Sequence, residues 1–185
     1  MNPEDTLPLS DAAAAGLNAR HDAADHIGVS GVFKVVCHAA DGSVRWEDDL
    51  SNLVVTVGKN DILNQYFRGS AYNAAFFVGL KTAGSISAAD TMSSKSWTEI
   101  TAYSNATRPA FTAAVPSGGS TDNSASPAVF NINGTATVGG CFIVTGTGAN
   151  TKGGTTGTLF SATDFAVARS VLSGDTLTVT YTISC

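Results

Sequence analysis

The amino-acid sequence predicts a mainly β protein: a jelly-roll-like antiparallel β-sandwich with one short helix and an N-terminal extended arm. Three observations predict it. From Gly31 onward, short runs rich in β-branched and aromatic residues alternate with clusters of Gly, Asp, Asn and Ser. The last run, residues 176–184, sets Leu177, Val179, Tyr181 and Ile183 on one face and Thr176, Thr178, Thr180 and Thr182 on the other. Residues 1–29, by contrast, have no periodic apolar stripe.

The arm, residues 1–29, holds Pro3, Pro8, the run Ala12 to Ala15, and Leu7, Leu9, Leu17 and Ile27 spaced too widely to bury a helix on their own domain. It is expected to be extended or partly helical and to gain its contacts from a neighbour. The sandwich domain then covers residues 30–185. Residues 32–38 read as a strand, Asp41-Gly42 as a hairpin turn and residues 44–47 as its return. Residues 53–57 are a third apolar run. A helix is expected to start at Gly58 to Asn60, to pack Ile62, Leu63, Tyr66 and Phe67 on the sheet, and to end at Gly69. Further strands are expected near residues 74–80, 98–103, 110–115, 128–133, 135–145, 158–160 and 176–184, with loops over 117–126 and 146–157.

At 185 residues the chain can bury about 70% of its unfolded surface, so a core needs no staples. A net charge of -5, with 14% charged residues, lacks the basic surface that phosphate neutralisation demands, and no nucleic-acid partner is expected. No run approaches the ~20 apolar residues of a membrane span, and the first 20 residues carry no signal-peptide core. Synthesis in a reducing cytoplasm is expected. Cys37, Cys141 and Cys185 should then remain reduced thiols, and the sequons at Asn105 and Asn133 carry little meaning.

Chemistry-bearing residues are sparse. His21, Asp22, Asp25 and His26 hold metal-ligand types, but a five-residue spacing puts the two imidazoles on different sides of a helix. Cys37 and His38 are strand neighbours and point to opposite faces, which separates thiol from imidazole. Lys152 lies in the glycine-rich stretch 146–157 without the order of a phosphate-binding loop. Glu47, Asp48 and Asp49 read as the polar end of a hairpin rather than a calcium site. No catalytic residue, metal or cofactor is expected. Trp46, Tyr72, Trp97 and Tyr103 read as core or interface anchors, with a sugar-stacking platform as the alternative.

Several segments carry a resemblance. Trp46-Glu47-Asp48, Asn52-Leu53-Val54-Val55, Val57-Gly58-Lys59, Phe77-Val78-Gly79-Leu80, Asp90-Thr91-Met92, Trp97-Thr98-Glu99 and Tyr103-Ser104 belong to it. So do Ser124-Ala125-Ser126, Asn133-Gly134-Thr135, Asn150-Thr151-Lys152-Gly153-Gly154 and Ser173-Gly174-Asp175-Thr176-Leu177. From about Val32 to the C-terminus the chain resembles small virion structural proteins of tailed bacteriophages, including jelly-roll capsid cement or decoration proteins. The resemblance implies a non-enzymatic protein on the capsid surface, binding the major capsid protein and itself as a dimer or trimer. Leu7, Leu9, Leu17 and Ile27 are the expected capsid or subunit contacts. The competing expectation is a carbohydrate-binding tail or head-fibre module that contacts the host.

Overall fold

The computed structural model describes residues 28–69 and 75–185. The arm contacts Leu7, Leu9, Leu17 and Ile27, the His21–His26 group and Tyr72 lie outside the described residues.

Two antiparallel sheets pack face to face. The first has the order β2 (Val44–Ser51), β1 (Ser30–His38), β11 (Thr176–Ser184), with β7 (Ser120–Asp122) and β8 (Ala128–Asn131) sharing the far side of β11. The second runs β3 (Leu53–Val54), β10 (Thr158–Val171), β9 (Ala136–Thr145), β4 (Phe76–Lys81), β5 (Glu99–Ile100), with β6 (Ala110–Phe111) also on β4. The connections β2–β3, β6–β7, β8–β9 and β10–β11 cross between sheets, and the first and last strands lie side by side inside one sheet. Among the described residues the expected sandwich with one helix is therefore the observed architecture.

The β1–β2 hairpin forms where Asp41-Gly42 placed it. Gly42 takes φ +86°, and the Asp41 carboxylate accepts from the Ser43 backbone N–H (2.9 Å) and hydroxyl (2.7 Å). On β11, Leu177, Val179 and Tyr181 are buried between the sheets, while Ile183 is half-buried at the end of the strand. Between its pairings with β8 and β7 the ladder is bridged by a buried side chain. Asn123 accepts from the Tyr181 N–H at 2.7 Å and donates to the Val179 carbonyl at 3.3 Å, standing in for a strand backbone.

Four sequence expectations need correction. β2 continues to Ser51, because Glu47 and Asp49 turn outward while Asp48 and Leu50 turn toward the second sheet, Asp48 onto Arg169 and Leu50 into the core. The expected loop 117–126 contains β7, which forms because a turn at Gly118 and Gly119 folds Ser120 back onto Ser117 and lays the chain along β11. The strand expected at 158–160 runs on to Val171 through a bulge, with Asp164 opposite Gly140 and Arg169 opposite Val138. The runs at 98–103 and 110–115 shrink to two-residue strands.

The helix α1 (Thr56–Phe67) also differs from expectation. It begins at Thr56, where the Val55 N–H bonds the Phe160 carbonyl (3.1 Å) and the Thr56 N–H bonds the Ala88 carbonyl (2.8 Å). Gly58 sets its rotation: a Cβ there would lie 2.4 Å from the Phe160 carbonyl oxygen, so only glycine lets the helix rest on the β10 backbone. Gly58, Asp61, Ile62 and Gln65 consequently form the inward stripe. Leu63, Tyr66 and Phe67 face out.

Candidate binding surface

The sandwich has two apolar layers. Between the sheets lie Phe33, Val35, Cys37, Val78, Leu80, Phe130, Cys141, Ile143, Leu177 and Val179. On the outer face of the second sheet a separate cluster gathers Val55, Met92, Trp97, Phe142, Val144, Ala149 and Leu159 beneath the segments 82–98 and 146–157.

Buried ions pin those covering segments. Arg108, wholly buried, grips Glu99 with two nitrogens (2.9 and 2.6 Å) and donates to the Ala149 and Gly154 carbonyls (2.7 Å each). The same carboxylate accepts from the Tyr103 hydroxyl (3.2 Å) and the Gly153 N–H (2.8 Å). Burial, then the Glu99 charge, pushes the Tyr103 phenol far above its ordinary range. Lys152 donates to the carbonyls of Tyr103 and Asn105 at 2.9 Å, with its ammonium 4.8 Å from the Tyr103 ring centre. The glycine-rich stretch is thus an anchored cover, not a phosphate loop.

A second pin crosses β9. Lys81 and Asp164 both stand opposite Gly140, on β4 and β10 respectively. With no side chain at Gly140, the buried Lys81 ammonium lies across β9, pairs with the Asp164 carboxylate and donates to the Gly84 carbonyl. It also sits 5.3 Å from the Trp97 ring centre, with Lys95 at 5.0 Å.

The other sequence candidates resolve into structural roles. Cys37 is buried and hydrogen-bonded to Asp175 (3.7 Å), with His38 on the opposite face. Burial and the nearby Asp175 push its thiol up to about 11, which works against a nucleophilic thiolate. Glu47 pairs loosely with Lys34 and lies with Asp49 on the outer face of β2, while half-buried Asp48 turns the other way and binds Arg169 of β10 through two oxygens (2.7 and 3.0 Å), so the acidic trio is split across a strand rather than gathered at a hairpin tip. Among the described residues, no group of three or more His, Cys, Asp or Glu side chains is placed to hold a metal ion. Trp97 and Tyr103 are core side chains, and half-buried Trp46 packs edge-on against Phe165 and donates to the Ser170 carbonyl. Cys37, Cys141 and Cys185 are all free thiols.

Among the described residues, one exposed surface is apolar and open to a partner. Leu63, Tyr66 and Phe67 are 52%, 81% and 69% exposed on one face of α1, the two aromatic rings meeting edge to face at 5.0 Å. Nearby, elements of both sheets stand around an opening. They leave a cleft of about 680 Å³ bounded by α1 through Ile62, by Phe76 and Phe160 of the second sheet, by Ile183 of the first and by the stretch 110–116. The sequence reading missed this surface because Leu63, Tyr66 and Phe67 fit the arc of a core-facing helix. The signal against that assignment was Gly58, which selects the opposite side as the contact.

No protein-family model matches the chain, and no curated protein matches it.

Proposed function

We propose that this chain is a non-enzymatic capsid cement or decoration protein of a tailed bacteriophage, which binds the outer surface of the head and stabilises contacts between major capsid subunits. The observation that carries the reading is the outward apolar face of α1. Two adjacent aromatics and a leucine stand in water on a helix whose opposite side, with Gly58 against the β10 backbone and Ile62 against the core, makes the contact with its own domain. Large aromatics so displayed are the usual anchors of protein interfaces. The segment resemblance supplies the capsid as the partner. Loops tied down by Arg108, Lys152 and Lys81 supply a rigid block, so little ordering entropy is lost when it docks.

The mechanism is linkage. A protein that binds only the expanded shell stabilises that state by its differential affinity, summed over many copies. Leu7, Leu9, Leu17 and Ile27 are the proposed arm contacts to the major capsid protein or to a second copy in a dimer or trimer.

Quantitative mass spectrometry of purified particles tests the location: hundreds of copies per particle fit a head protein, and a handful refute it. Co-sedimentation with capsids tests the surface. Tyr66→Ser with Phe67→Glu should weaken attachment while leaving the melting temperature nearly unchanged, since these side chains are exposed. Unaltered attachment refutes the role of this face.

A further inference from the structure

The cleft is concave, and among the described residues none of the side chains bounding it is charged. It reaches into the core, where Phe160, Ile143 and Tyr181 form part of its wall. An apolar opening of about 680 Å³ is costly to leave wetted, since each Å² of apolar surface withdrawn from water is worth about 25 cal/mol.

The chain itself enters the fold at the rim of this opening. Ser30 pairs with Ser184 and Gly31 with Ile183, and Ile183 is a wall of the cleft. Along β1 the inward positions are Phe33, Val35 and Cys37, and Val29 already packs against the core. In the sequence Ile27 stands two residues before Val29. Farther out, residues 7–17 read Leu-Pro-Leu-Ser-Asp-Ala-Ala-Ala-Ala-Gly-Leu, a stretch whose one charge is Asp11. The ten residues 18–27 that join it to the sandwich span up to ~33 Å when extended, enough to turn back to the cleft.

We propose that the cleft is the seat of the chain's own N-terminal segment, with Ile27 at its edge and the apolar side chains of residues 7–17 within it. Attachment through ten residues gives this segment a high effective concentration at the cleft, which favours it over the arm of another molecule at ordinary protein concentrations. The inference does not rest on the capsid reading. It adds a condition to it: side chains seated in the cleft must leave before they can contact a capsid subunit.

The test uses the full chain. Arg20 is the sole Lys or Arg within residues 1–29, so the rate of tryptic cleavage there reports whether the segment is held. A variant with Leu7→Ser, Leu9→Ser and Leu17→Ser should be cut at Arg20 several-fold faster than the parent. It should also bind anilinonaphthalene sulfonate with several-fold brighter fluorescence, while its circular dichroism spectrum stays that of a folded sandwich. Ile62→Glu, on the opposite wall, should likewise speed cleavage at Arg20. Equal cleavage rates and equal dye fluorescence in parent and variants overturn the proposal. So does a parent that light scattering shows to be a dimer and a triple-serine variant that is a monomer, because the occupant is then a second copy.

Discussion

The two sheets solve burial differently. In the first, β1 and β11 alternate between a buried face and a wetter one, with Phe33, Val35, Leu177 and Val179 inward and Lys34 exposed outward. In the second, β9 is buried at every position from Val138 to Thr145. Its outer face is not wet, because the segments 82–98 and 146–157 lie over it and enclose Trp97, Phe142 and Leu159. A one-sided sheet needs only its inner face to be apolar. A two-sided one needs a cover, and a cover made of irregular chain must find partners for its own polar groups. Arg108, Lys152 and Lys81 supply them, each donating to at least one carbonyl of the covering segments or of the chain beside them.

The sharpest break of this comparison lies on β11. Val179 is completely buried between the sheets, so Val179→Asp puts an unpaired carboxylate in the core and should cost about 4 kcal/mol or more. Thr178→Asp, one residue away on the outer face, should cost about 1 kcal/mol or less. Urea denaturation of both variants checks the contrast. Similar losses would mean that the outer face of the first sheet is covered as well.

The next largest effect concerns the cover. Glu99→Ala leaves the Arg108 guanidinium buried without its carboxylate and should destabilise by about 3–5 kcal/mol. Arg108→Met should cost a comparable amount by stranding Glu99. Pairing Glu99→Leu with Arg108→Met removes both charges, so the double variant should be more stable than Arg108→Met alone. Thermal melts of the three proteins measure this, and additive losses would show that Arg108 acts mainly through the Ala149 and Gly154 carbonyls.

The first sheet was legible in the sequence because a single wet face writes period two into the chain: residues 32–38 and 176–184 were placed almost to the residue. The second was only partly legible. Burial on both faces erases alternation, so β10 read as a strand only to Phe160, and its continuation through Ser161-Ala162-Thr163-Asp164 was hidden by small and polar residues and a bulge. Arg108 and Lys81 gave no signal either, since a buried cation is recognised by its partner and Glu99 and Asp164 lie nine and 83 residues away. The cleft was illegible for a similar reason. Its walls come from α1, β4, β10, β11 and the stretch after β6, and no local pattern states that they stop short of meeting.

The smallest effect compares the two buried thiols, one in each sheet. Cys37 of β1 and Cys141 of β9 both lie in the core between the sheets, whereas Cys185 is exposed. At pH 8, with the protein folded, one thiol of three should react with a disulfide reagent, and the other two should appear on unfolding; fast reaction of two would show that one sheet opens readily. Burial pushes Cys141 from 9.0 up to about 12, and burial with the Asp175 charge pushes Cys37 up to about 11. Both folded values are raised, so the stabilisation is complete below pH 9 and is lost as pH rises toward them. Above pH 9 the unfolded chain holds fewer protons than the folded one, and each thiol should lower stability by about 1.4 kcal/mol per pH unit until its folded value is reached. Cys141→Ala should therefore make the fall between pH 9 and 11 shallower by one such slope, whatever its effect on stability at neutral pH. An unchanged slope would mean that Cys141 ionises in the folded protein, and that the second sheet is less sealed than its cover implies.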